Sequence, residues 1–275
     1  MAAALWIALG LLAIASILPK AYNSRFVFGG FGWIFLSIYW FLQPPSYIGI
    51  QDYFNAFLVI VAAIITLFIA YITFQARDSK GDGYEAINSL SRAASVGGLI
   101  YFLFADVDFL NVGIISLVTN QTIWVAEKFG FPVAQVAWNQ LAVNGLPVEI
   151  ILACTAIESI ALFTGLISSA TKAPLSQKFR AFMISVPVIY ALNLLRTSLV
   201  ASAYGFAWFG TPEESFQIAE HILAKIGSMI ALLAISYAIL KMLPEVSDMI
   251  DGTVKLLRIE FRKLSGSKIE NKSEL

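Results

Sequence analysis

A thiol, a guanidinium and an imidazole stand out in a chain that is otherwise poor in reactive side chains. Cys154 is the single cysteine and His221 the single histidine. With Arg196, they fall inside or at the mouth of long apolar runs, where ionisable residues are expensive and mark functional sites by default. A thiol becomes a strong nucleophile as thiolate, and a nearby cation favours that form. An arginine stays charged, so it can stabilise either the thiolate or the oxyanion of a tetrahedral intermediate. An imidazole titrates near neutral pH and serves as general acid or base. Asn193 and Arg196, three residues apart, share a helix face. Glu158 follows Cys154 by one helical turn and is placed to orient Arg196 through a charge-assisted hydrogen bond. Each residue also has a plain reading. A lone cysteine in an apolar helix usually packs, a histidine at a helix mouth is solvated, an Arg–Glu pair is structural, and Lys225 snorkels to the interface.

The composition restricts what surrounds these residues. The chain has 275 residues, 59% hydrophobic and 13% charged, with a formal net charge of zero and a mean hydropathy of +0.78. Soluble domains are nearer half apolar and a quarter charged. No basic excess supports nucleic-acid binding. One cysteine and one histidine exclude a disulfide framework, a zinc cluster and a His-Glu-x-x-His metalloprotease, so neither cofactor nor metal is expected. The fold class is an all-α integral membrane protein with about seven transmembrane helices, near 2–18, 26–43, 52–76, 90–105, 148–169, 180–203 and 222–243. The first run has no Lys or Arg before it and reads as a retained helix, not a cleaved signal peptide. The fourth carries Arg92 and Gly97-Gly98; this pair and Gly29-Gly30 permit close helix packing.

Positive charge collects in short cytoplasmic loops. Lys20, Arg25, Arg77, Lys80, Arg92, Lys172, Lys178 and Arg180 occupy alternate connections, and Lys241, Lys255, Arg258, Arg262, Lys263, Lys268 and Lys272 the tail, so fifteen of eighteen basic residues fall on one side. The opposite connections hold Lys128 alone, beside Asp106, Asp108, Glu127, Glu213, Glu214 and Glu220. The N-terminus is therefore expected outside and the C-terminus inside. An extra crossing near 112–126 would break this pattern, so 106–147 is expected as an outer amphipathic or re-entrant segment. Within it, Asn144-Gly145 signals a tight turn, Trp124 and Trp138 suit the interface, and Asn120-Gln121-Thr122 is a glycosylation sequon; Asn271-Lys272-Ser273 is another, on the inner side. Residues 1–243 form one polytopic domain and 244–275 a basic amphipathic cytoplasmic tail, with Val246, Met249, Ile250, Val254, Leu257, Phe261 and Leu264 at helical spacing.

On this layout Cys154 enters its helix from the outside near Pro147, about seven residues and roughly 10 Å deep. Arg196 lies about as far from the outer exit of the next helix, and His221 opens the last. Three helices thus set the three groups in one leaflet.

Asn144-Gly145-Leu146-Pro147-Val148-Glu149 leading into Ala153-Cys154-Thr155-Ala156-Ile157-Glu158-Ser159, then Asn193-Leu194-Leu195-Arg196, then His221 after a short acidic loop, resembles the exosortase/archaeosortase family. The resemblance covers about residues 90–243. It implies a membrane cysteine transpeptidase or protease, with Cys154 as nucleophile, Arg196 as thiolate and oxyanion partner and His221 as acid/base; Glu158 and Asn193 come from helix geometry. Its implied substrates are exported surface proteins of the surface-layer glycoprotein type. They carry a C-terminal signal made of a Pro-Gly-Phe-like motif, a transmembrane helix and a basic cluster. The implied acyl acceptor is a membrane lipid, and the active site faces outward. Two rival readings are a transporter or channel with a polar outer-leaflet site and a non-catalytic assembly factor. No internal repeat or pair of broken helices supports the transporter.

Overall fold

The computed structural model describes residues 2–19, 22–75 and 83–264. Lys20, Arg77, Lys80, Lys268, Lys272 and the Asn271 sequon lie outside them. The elements run α1 (Ala2–Ile17), α2 (Ser24–Phe41), α3 (Pro44–Gly49), α4 (Tyr53–Gln75), α5 (Gly83–Asp106) and α6 (Asp108–Lys128), then β1 (Val133–Ala137), β2 (Gln140–Val143) and β3 (Leu146–Glu149). A 3₁₀ turn (Leu152–Thr155) leads to α7 (Ile157–Ser169), α8 (Leu175–Gly205) and α9 (Pro212–Phe216), and a π-helical segment (Gln217–Ala224) to α10 (Lys225–Met242) and α11 (Pro244–Leu264). The chain divides into two compact units. One holds Met1–Val96, Ser168–Lys172 and Pro244–Leu275, the other Gly97–Ile167 and Ala173–Leu243.

In the first unit, small residues on α2 let its neighbours approach. A Cβ at Gly30 would stand 2.5 Å from the Phe74 ring, and one at Gly32 2.8 Å from Leu12. Close approach brings polar groups into bonding range, as apolar surroundings require of a buried donor. Trp33 Nε1 donates to Ser91 Oγ at 2.9 Å, and Ser37 Oγ to the Ala63 carbonyl at 2.8 Å. Arg25 is buried, paired with Glu85 at 2.7 Å and stacked 4.5 Å from the Phe26 ring centre. The tail is helical over Pro244–Leu264, as its spacing predicts, but part of its apolar face is covered within this unit. Val246, Met249 and Leu256 are buried, whereas Ile250, Val254 and Phe261 stay exposed.

The second unit departs from the expected layout in three places. Residues 108–128, expected in an outer connection, form a 21-residue helix. Its buried stripe, Ile115, Val118, Thr119, Thr122 and Ala126, recurs at helical spacing. Polar residues dilute its hydropathy, yet one of their side chains and one main-chain carbonyl meet α8. Gln121 Oε1 accepts from Tyr190 Oη at 2.7 Å, and the Thr122 carbonyl accepts from Ser198 Oγ at 3.1 Å. These contacts, with Phe131 against Phe206 and Trp208, run α6 and α8 side by side in the same direction. The Asn120 sequon thus falls in mid-helix with Thr122 fully buried, not on a surface loop.

Second, the fold is mostly helical, as the all-α class requires, but it also carries a small sheet. β1, β2 and β3 form an antiparallel sheet in that order. Third, the run read as a helix over 148–169 begins as strand and 3₁₀ turn, and α7 has only 13 residues.

Among the described residues, five helical stretches are long and apolar enough to cross a membrane: Ser24–Gly49, Tyr53–Gln75, Asp108–Lys128, Leu175–Gly205 and Pro212–Met242. α1 and α7 are apolar but shorter. The count of seven is not reproduced. α6 joins the candidates, and α5, which carries Ser89, Ser91, Arg92 and Ser95, does not.

Candidate functional site

Cys154 stands at a corner between strand and helix. The Asn-Gly signal forms the β2–β3 turn, with φ of 55° at Asn144 and 83° at Gly145, the paired positive angles of a tight hairpin. Asn144 Nδ2 donates to the Gly205 carbonyl at 3.3 Å, tying the hairpin to the end of α8. Leu141, Val143 and Ile150 bury the sheet in a core that also includes Ile115, Val118 and Leu194. β3 then leads into the 3₁₀ turn that carries Cys154. Ala156 follows in the left-handed region at φ 60°, after which α7 starts. A non-glycine residue there costs roughly 1–2 kcal/mol, and such strained positions cluster where a side chain must be presented at a set angle. The depth inferred from a continuous helix therefore does not apply: Cys154 precedes α7 instead of lying within it.

α8 supplies the next two groups. Asn193 is buried and its Nδ2 donates to the Cys154 carbonyl at 2.7 Å. The amide thus holds the main chain of the corner and not the sulphur. One turn on, Arg196 forms an ion pair with Glu220. The carboxylate on Arg196 is therefore not Glu158, the expected partner. Glu158 lies across a cavity that both residues line. Arg196 Nε is buried without a hydrogen-bond partner, which leaves a donor available.

Glu220 and His221 are consecutive in the π-helical segment, a rare geometry that recurs at functional sites. They diverge. Glu220 reaches Arg196, while the His221 ring is exposed and meets Phe216 edge-on at 6.1 Å. Neither His221 nor Cys154 is among the residues that line the cavity, although Ala153 and Ala156 on either side of the cysteine are. Glu220 was assigned to an outer loop from sequence; its position directly before the only histidine was the available signal.

The cavity itself is about 560 Å³, ample for a peptide end or a lipid group. Ala153, Ala156, Glu158 and Ser159 line it from the corner and α7, Asn193 and Arg196 from α8, and otherwise mainly apolar side chains, including Trp208 and Phe209. The charges of Arg196 and Glu220 both act on the Cys154 thiol. Among the described residues no group of three or more His, Cys, Asp or Glu side chains forms a metal site.

The sequence profile of the transmembrane exosortase family (EpsH) matches residues 1–238. The chain belongs to the transmembrane exosortase family. Archaeosortase A of Haloferax volcanii is 27% identical over 259 residues, which cover 82% of this chain and 83% of that protein. Archaeosortase A of Natronomonas pharaonis is 23% identical over 268 residues, 86% of this chain and 82% of its own. No solved structure matches. The family and the apolar helices together make this exosortase a multi-pass membrane protein.

Proposed function

We propose that the chain is a membrane cysteine transpeptidase that cleaves a C-terminal sorting signal from exported surface proteins. The observation that carries this is the corner at Cys154. The only thiol of an exosortase-family chain sits on a strained turn, held by Asn193, beside an arginine with a free donor. The similarity to archaeosortase A supports a sorting substrate with a Pro-Gly-Phe-like motif, a transmembrane helix and a basic cluster. Surface-layer glycoproteins are substrates of this kind.

In the proposed reaction the Cys154 thiol gives up its proton to the imidazole of His221. The sulphur attacks the carbonyl carbon of the scissile peptide, and the oxygen gains the negative charge. Arg196 balances that charge through its guanidinium N–H groups. The C–N bond then breaks, the leaving amine takes the proton from His221, and a thioester remains on Cys154. A nucleophilic group of a membrane lipid attacks the thioester, gives up its proton to the neutral imidazole of His221 and releases the Cys154 thiolate, which the imidazolium then reprotonates. Glu158 and Asn193 support the site, Asn193 through the main chain of Cys154. The fifteen basic residues on one side support an active site that faces the extracytoplasmic surface.

Co-expression with a surface protein carrying such a signal tests the reading. The wild type shortens the substrate, and its new C-terminus carries lipid by mass spectrometry. Cys154→Ala and Cys154→Ser leave the precursor intact while still inserting in the membrane. Full processing by Cys154→Ala removes the nucleophile assignment. Shortening without lipid means hydrolysis in place of transfer.

A further inference from the structure

Among the charged groups near Cys154, Glu220 is the one that engages Arg196. The two side chains are 27% and 30% exposed, so the pair is only partly screened by solvent. The other charges around the site differ in position. Glu158 lines the cavity from α7, and Lys225 opens α10 and lines a second cavity of about 460 Å³ that Arg196 also borders. His221, next to Glu220, is turned toward Phe216.

We infer that Glu220 is a positioning residue, whose carboxylate fixes the Arg196 guanidinium and makes the charge facing Cys154 at rest an ion pair instead of a bare cation. The catalytic consequence rests on the transpeptidase reading, but the electrostatic one does not. An arginine alone beside a thiol favours the thiolate; the same arginine paired with a carboxylate does so far less, because the two fields oppose each other at the sulphur. Both charges act on this thiol. The buried Nε of Arg196, which has no partner, is the donor left for an incoming carbonyl oxygen. Glu220 thus trades thiolate at rest for a guanidinium held in one orientation.

The single cysteine makes this measurable without a substrate, since alkylation of the full-length protein by a maleimide reads Cys154 alone. In detergent, the pH–rate profile of Glu220→Gln is expected to move to lower pH, with alkylation roughly tenfold faster at neutral pH. Glu220→Asp restores the wild-type profile, and Glu213→Gln, at an exposed position on α9, stays within about twofold of it. The double variant Glu220→Gln/Arg196→Gln removes both charges and returns the profile toward wild type. It also serves if the single variant does not fold. A Glu220→Gln profile superimposable on wild type, or a double variant that alkylates as fast as the single, overturns the proposal. In the co-expression assay Glu220→Gln lowers processing and Glu220→Asp recovers part of it; unchanged processing by Glu220→Gln overturns the positioning role. If the wild type processes no substrate, the transpeptidase reading fails while the alkylation result stands.

Discussion

An arginine already paired with a carboxylate behaves differently from a bare guanidinium. At the residue scale this bears on how charge is divided among Arg196, Glu220 and His221. The ion pair leaves Arg196 with its Nε free and leaves His221 outside the cavity, against Phe216. An acid/base role for this imidazole therefore acts on proton transfer more than on substrate binding. His221→Ala is expected to lower kcat for signal cleavage by about 10²-fold or more, with KM changed little, because general acid–base catalysis contributes on that order. Turnover of membrane-embedded enzyme on a fluorogenic signal peptide checks it. Wild-type kcat in that variant makes His221 an interface residue. The residue types were legible in the sequence, since a lone Cys, a lone His and an in-span Arg invite one chemistry. The partner was not. Glu158 follows Cys154 by one turn only if the helix is continuous, and left-handed Ala156 interrupts it.

At the element scale, the hairpin and α8 are locked together at one glycine. A Cβ at Gly205 would lie 2.5 Å from the Val143 side chain and 2.7 Å from its carbonyl oxygen. Backbone cannot turn aside as a flexible side chain can. Gly205→Ala is thus expected to destabilise the protein by about 1–3 kcal/mol, the range for overpacking a filled core. The hairpin feeds the Cys154 corner, so processing should fall along with the melting temperature in detergent. A variant with unchanged Tm shows that the hairpin is not held at this point. The Asn144-Gly145 turn was readable from two residues, because few other pairs accept positive φ at both positions. The sheet around it was not, since 131–150 carries apolar residues that suit a short buried strand or a membrane-facing segment equally. α6 was hidden for a related reason. Its Gln121 counts against a membrane helix in a hydropathy sum, but its partner Tyr190 on α8 cannot be seen along the chain.

At the scale of the whole molecule, sidedness is the property most open to test. The distribution of positive charge predicts the hairpin outside and the 170–180 connection inside. In a Cys154→Ala background, Gln135→Cys is expected to react with an impermeant maleimide on intact cells. Lys172→Cys should react only after permeabilisation. Both positions are exposed in the structure. The opposite pattern reverses the orientation and moves the active site to the cytoplasmic face. Because the described residues hold five candidate spans and two shorter apolar helices, this measurement weighs more than any further reading of hydropathy.

By itself the sequence determined that the chain lives in a membrane, which family it resembles, and which three reactive side chains it has to work with. Those properties follow from composition and from short strings of residues, and both survive without knowledge of contacts. Tertiary structure alone decided that Cys154 stands on a strand-to-helix corner, that Asn193 grips its main chain, and that Arg196 answers to Glu220. The last two depend on residues 39 and 24 positions apart meeting through bends in the backbone. Helical periodicity cannot anticipate a partner beyond the element in which it is measured.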